Sequence, residues 1–241
     1  MKIRCLSVTF WFNIFDKHFS FLNIFQKELK NEYEKFNVFN YSNNLVAPII
    51  TAINNKQKTN LLFSQINLQY NMDNVSIKDL DLFNERVLKL FEILNDNGVD
   101  VYHSSIFVNG EIVDDEALKT IAKNTINPEM FNNDLIDLTL KFGKKYEELF
   151  YKIITILNKK QIKLPKKIDE KGRIVPIPLI SWNGALVENE IIDISYEIND
   201  KYLFDFTKNY KTTEFYLNKM LYILKEDMQN DINSILENGK F

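Results

Sequence analysis

Apolar and polar residues alternate at the start of the chain and then change period. Leu6, Val8, Phe10 and Phe12 occupy every second position within 3–13, which predicts a half-buried strand. From Ser20 the spacing becomes helical, with Leu22, Phe25, Leu29, Tyr33 and Phe36 on one stripe. Pro48–Ile53 reads as a short strand followed by a turn at Asn54-Asn55. Leu61–Met72 alternates with Leu62, Ser64, Ile66, Leu68, Tyr70 and Met72 on one face and is expected to be one strand. Ser76 and Asp79 have capping-box spacing before the helical stripe Leu80, Phe83, Val87, Leu90, Phe91 and Leu94. Gly98 stands where a helix ends, Val99–Val108 is the next strand, and Asn109-Gly110 signals a tight turn.

The second half is less regular. Asp114 can cap a helix carrying Leu118 and Ile121 that stops before Pro128. Leu135–Phe142 reads as a strand closed by Gly143. Tyr146–Leu157 fits both periods, and the stripe Tyr146, Leu149, Phe150, Ile153, Ile154 and Leu157 makes helix the closer fit. The polar run Asn158–Arg173, with Pro165 and Gly172, is expected to be a mobile loop. Ile174–Trp182, a turn at Asn183-Gly184 and Ala185–Ile198 make a hairpin, its first arm an edge because Pro176 and Pro178 cannot donate to a ladder. Thr212 or Thr213 caps a long final helix with Leu217, Met220, Leu221, Leu224, Met228 and Ile232 buried.

These elements predict an α+β fold. A ferredoxin-like βαββαβ N-terminal half (1–113) is followed by a second mixed sheet-plus-helix half (114–241), packed on the first or continuous with it. Composition is that of an ordinary globular chain, 45% hydrophobic and 26% charged. At 241 residues the core can be large enough to need no disulfide or metal. The single cysteine, Cys5, cannot form an internal bridge, and no apolar run reaches the length of a membrane span. Both features point to the cytoplasm and away from a membrane. Heavy use of Lys, Asn, Ile and Phe with little Gly, Pro or Ala reflects an AT-rich bacterial or phage genome.

Charge narrows the partners. A net charge of −3 and only three arginines, Arg4, Arg86 and Arg173, disfavour a broad nucleic-acid surface. The local exception is the run holding Lys159, Lys160, Lys166, Lys167, Lys171 and Arg173, a candidate RNA-binding loop.

Few residues offer chemistry. The only two histidines both occur as His-x-Ser: His18 with Ser20, and His103 with Ser105. Two-histidine phosphoesterases pair two such motifs, one His as general base, the other as general acid, with hydroxyls on the phosphate. The simpler reading is a helix-start His18 and a strand His103 sharing a face with Val101 and Phe107. Glu188, Glu190, Asp193 and Glu197 split between two strand faces, as a charged edge does, rather than converging on a cation. No glycine-rich phosphate loop is present, and one Cys with two distant His cannot build a zinc site. Cys5 inside a strand reads as an inert thiol. No cofactor is expected.

The opening strand and helix, the segment Leu62-Phe63-Ser64-Gln65-Ile66-Asn67-Leu68 leading into the helix at Phe83–Leu94, and the late strand Ile191–Ile198 before a terminal helix resemble a sporadically distributed prokaryotic family of about 250 residues. That family has no established activity, so the resemblance implies a fold and no chemistry. The leading expectation is a non-enzymatic macromolecule-binding protein whose partner is another protein. Low-GC, motif-poor proteins of this kind recur in bacterial and phage conflict, in defence or counter-defence. A phosphodiesterase acting on an oligonucleotide through His18 and His103 is the second expectation, and an RNA-binding accessory protein the third.

Overall fold

The computed structural model describes residues 1–14, 19–41, 43–113, 121, 139–147, 149–163, 167–168, 174–175 and 186–238. Eleven strands run in chain order: β1 (Lys2–Phe12), β2 (Phe36–Val38), β3 (Ile50–Asn54), β4 (Thr59–Phe63), β5 (Asn67–Asp73), β6 (Val101–Val113), β7 (Thr139–Tyr146), β8 (Phe150–Lys163), β9 (Lys167–Ile168), β10 (Ile174–Val175) and β11 (Leu186–Asn199). Five helices accompany them among the described residues: α1 (Ser20–Glu28), α2 (Leu80–Asp96), α3 (Lys201–Phe206), α4 (Glu214–Glu226) and α5 (Met228–Asn238).

Nine strands form one antiparallel sheet in the order β2-β3-β4-β5-β1-β6-β11-β8-β7, and β9 with β10 makes a separate two-stranded ribbon. The alternation in β1 buries Leu6, Val8, Phe10 and Phe12 on one face, where α1, α2, α4 and α5 cover the sheet. Phe25 of α1 meets Phe63, Phe91 of α2 meets Phe10, and Tyr216 of α4 meets Phe150. Fully burying each such ring stabilises the fold by roughly 1.5–3 kcal/mol. The opposite face carries Thr9, Trp11, Gln69, Ser105 and Phe107, all half-buried, and α3 lies across one end of it through Tyr202 on Tyr151 and Phe204 on His103.

Several sequence expectations are met. Gly98 adopts φ +73 just past α2 and Val99 N–H donates to the Leu94 carbonyl, as a left-handed helix end requires. Of the capping box only the reach-back half forms: Ser76 N–H donates to Asp79 Oδ2, while Ser76 Oγ donates to the same oxygen and the Asp79 amide goes to the Ser76 carbonyl. Asn54 Oδ1 accepts from the Lys56 and Gln57 amides in the β3–β4 turn.

Others are corrected. Leu61–Met72 is a hairpin, not one strand: Ser64 Oγ accepts from the Asn67 and Ile66 amides and turns the chain between β4 and β5. Asn109-Gly110 is not a turn, because β6 runs straight through it. Gly110 instead faces a bulge at Arg4, where an added Cβ would lie 2.9 Å from the Met1 side chain and 3.0 Å from the Lys2 carbonyl. The helix favoured for Tyr146–Leu157 is instead the end of β7 at Tyr146, a turn, and strand β8 from Phe150, whose pairing with β7 and β11 wins over the helical stripe. The expected mobile loop begins as that same strand, up to Lys163. The Ala185–Ile198 arm pairs with β6 and β8, and Ile174–Val175 pairs with β9. Gly143 sits inside β7 opposite Ile153 rather than closing a strand. The final helix is two helices, α4 and α5, meeting at Asp227. The second half therefore adds its long strands to the first sheet instead of building another. Asn183-Gly184 and the Asp114 cap lie outside the described residues.

Candidate functional site

The described histidine, His103, sits at a bulge near the start of β6, where Trp11 of β1 is its register partner and Val101 pairs with Phe12. The bulge turns His103 to the face opposite the helices. There it meets Asp200, placed by the end of β11 and the start of α3. Asp200 is fully buried. Its Oδ1 lies 2.7 Å from His103 Nδ1 and accepts from the Ser104 amide at 2.7 Å. Its Oδ2 accepts from Tyr210 OH at 3.0 Å and Thr212 Oγ1 at 2.5 Å. Ser104 Oγ, itself buried, donates to Thr212 Oγ1 at 3.1 Å.

This carboxylate is an acceptor for every group around it, so His103 Nδ1 carries the hydrogen. Nε2 is bonded to no described residue. A neutral His103 of this tautomer would present Nε2 as a base, oriented by a buried carboxylate. Phe204 packs beside the ring at 6.3 Å between centroids. A depression of about 510 Å³ next to it is lined by residues 204–210, not by His103. Burial, with the Asp200 carboxylate adding to it, pushes the Tyr210 phenol well above the usual tyrosine range.

His18 lies outside the described residues. Ser20 is the exposed first residue of α1, and Ser105 stands two positions along β6 from His103, between Thr9 and Asn199. Of the basic run, Lys159 and Lys160 are in β8 opposite Ile191 and Glu190, and Lys167 is in β9. Lys166, Lys171 and Arg173 lie outside the described residues. Two of the three arginines are committed internally. Arg4 reaches Asp193 at 2.6 Å, and Arg86 reaches the buried Glu32 at 2.5 Å, with Lys89 on the same carboxylate. Asp193 therefore belongs to an ion pair, and Glu197 accepts from Asn199. Among the described residues no three His, Cys, Asp or Glu side chains form a metal-binding group. No helix among them is long and apolar enough to cross a membrane.

A second feature lies at the β2 end of the sheet. Phe19, Val38, Phe39, Tyr41, Leu45 and Val46 are each between 39% and 51% exposed. Five of them fall within nine residues of sequence, Phe19 meets Tyr41 edge-on at 5.0 Å, and the Leu45 carbonyl accepts from Gln65 of the β4–β5 turn. Isolated exposed apolar residues are ordinary, whereas a contiguous group marks an interaction surface. Sequence reasoning missed both features. The group at 38–46 has no strand or helix period, so the order of its side chains marks no element. Asp200 is one acidic residue after a strand, and only the fold brings His103, Tyr210 and Thr212 to it. No family model matches this chain, and no curated protein is significantly similar to it.

Proposed function

We propose that this is a non-enzymatic binding protein whose partner is another protein, docked on the apolar end of the sheet around β2. The observation that carries this reading is the run of exposed apolar residues Val38, Phe39, Tyr41, Leu45 and Val46, with Phe19 packed against Tyr41. The commitment of Arg4 and Arg86 to internal ion pairs supports a protein over a nucleic acid, because arginine is the main phosphate and base reader. The test is affinity purification of the full chain from its native host beside the Phe39→Asp and Val46→Asp variants. Wild type is expected to retain a protein that both variants lose. Equal recovery from all of them sinks the reading.

A second reading is favoured by the His103–Asp200 pair: phosphodiester hydrolysis with His103 Nε2 as general base and His18 as acid. His103→Ala and His18→Ala would each abolish hydrolysis of a cyclic or linear oligonucleotide. Activity that survives either change removes it. The ferredoxin-like reading of the first half is likewise a proposal. It draws support from β5 and β6 flanking β1 with α2 linking them.

A further inference from the structure

Positive charge is concentrated at one end of the main sheet. β7 and β8, the outermost pair there, carry seven lysines and no Asp or Glu, in a chain whose net charge is −3. Lys152 is buried and bound by Asp227 and Asp231. The others are Lys141, Lys144 and Lys145 in β7 and Lys159, Lys160 and Lys163 in β8. The three in β7 are exposed. Register sets Lys141 opposite Thr155 and Lys145 opposite Tyr151, on the face turned away from the helices. Four residues along a strand separate two side chains by about 13 Å, so Lys141 and Lys145 can meet different phosphates of an extended strand. Lysines also keep an open edge from pairing with another chain. What sets this end apart is the aromatic surface beside them.

Lys145 Nζ lies 4.8 Å from the centre of the Tyr202 ring on α3. Tyr202 in turn meets Tyr151 at 5.5 Å and Phe206 at 4.7 Å. Phe206 is 71% exposed, Phe204 is 41% exposed, and α3 buries no residue at all. These rings therefore add little to the core. The depression of about 510 Å³ that follows is walled by Phe204, Phe206 and Tyr210 and carries Lys208. Its volume falls among those of small-ligand sites, roughly 300–1,000 Å³. Asp205 also lines it, held by Lys201 at 2.6 Å.

We propose that this surface binds a single-stranded nucleic acid. One base stacks in the depression on Phe204 and Phe206, and the backbone runs past Tyr202 to Lys145 and Lys141. An aromatic ring offers a stacking face to any base, and only a single strand has bases free to use it. Lysine neutralises phosphate as a point charge and reads no base edge. Binding is therefore independent of sequence, and it needs neither Arg4 nor Arg86, which are committed to internal ion pairs. The surface lies at the opposite end of the sheet from β2, so the inference stands apart from the protein-docking reading. Phe204 packs beside His103. A bound strand passes that imidazole whether or not it is cleaved there.

The experiment is fluorescence anisotropy of an end-labelled oligouridylate of roughly 12 nucleotides, titrated with the full chain over a salt series. A dissociation constant of roughly 1–100 µM is expected at physiological salt. With about three phosphates neutralised, affinity should fall roughly tenfold to twentyfold between about 50 and 200 mM salt. Phe206→Ala removes a stacking ring and is expected to weaken binding by about tenfold while leaving the salt slope unchanged. Lys141→Ala should lower the slope by about 0.7. Lys56→Ala, on the β3–β4 turn at the far end of the sheet, should change neither. All three positions are exposed, so unchanged melting curves show that the variants fold. Absence of salt-sensitive binding at about 100 µM protein overturns the proposal. So does a Lys56→Ala loss equal to that of Lys141→Ala, which marks a diffuse charge effect. A duplex of the same length that binds as tightly as the single strand also overturns it, because then no base is stacked.

Discussion

Removing the Asp200 carboxylate should be among the most damaging single changes in the molecule. The side chain is fully buried and accepts four hydrogen bonds, from His103 Nδ1, the Ser104 amide, Tyr210 OH and Thr212 Oγ1. Asp200→Ala orphans all four donors at once. A single orphaned buried donor costs about 1–3 kcal/mol, but water can enter the space vacated and rescue some of them. An expected loss of about 3–5 kcal/mol follows, the range for truncating one partner of a buried charged pair. Thr212→Val tests the same network from the other side. It removes one donor to Asp200 and leaves Ser104 Oγ without its acceptor, for a loss of about 1–3 kcal/mol. The two losses should not add, because after Asp200→Ala the Thr212 hydroxyl already lacks its main partner. Urea unfolding of the two single variants and the double variant, monitored by circular dichroism, gives the coupling energy, expected at about 0.5–3 kcal/mol. An Asp200→Ala loss below about 1 kcal/mol, or strict additivity, would show that the pairing is not what holds β6, β11 and the start of α4 together.

Lys152 points into the core of β8 and is bound by Asp231 at 2.7 Å and Asp227 at 3.1 Å, with Tyr196 OH donating to the same Asp231 oxygen. Lys152→Met leaves both carboxylates without their cation. A thermal-melt loss of about 2–4 kcal/mol is expected, toward the low end because Asp227 is partly solvated. Gly110→Ala pushes a methyl group against Met1 and the Lys2 carbonyl, and should cost about 1–3 kcal/mol by denaturant titration because the carbonyl is backbone and cannot swing aside. Burial, with Asp73 beside it, raises the Cys5 thiol from 9.0 to about 11. Folding therefore favours the protonated form. The stability this contributes is fully present below pH 9 and is lost as pH rises through about 11. Reaction with a chromogenic disulfide should be slow at neutral pH and accelerate only near pH 11; rapid labelling at pH 8 would contradict the shift.

Local signals decided much of this protein. The period-two run of β1, the helical stripe of α2, the Asn54 turn and the glycine at the end of α2 could all be read from side-chain order alone. Each depends on contacts within a few residues or on one buried face. Thr213 as the cap of α4 belongs with them, since its hydroxyl accepts from the nearby Tyr216 amide. Only tertiary structure could assign Tyr146–Leu157, whose apolar residues satisfy both periods. Pairing with β7 on one side and β11 on the other makes Phe150–Leu157 a strand and turns Lys152 inward. The same holds for Asn109-Gly110, a turn by composition and a straight strand because β1 and β11 hold it from both sides. Asp200 marks the limit most clearly. Its partners lie 97 residues back along the chain at His103 and twelve ahead at Thr212. A buried carboxylate is made tolerable by donors that no sequence window contains together, and the sheet that gathers them is a property of the whole chain.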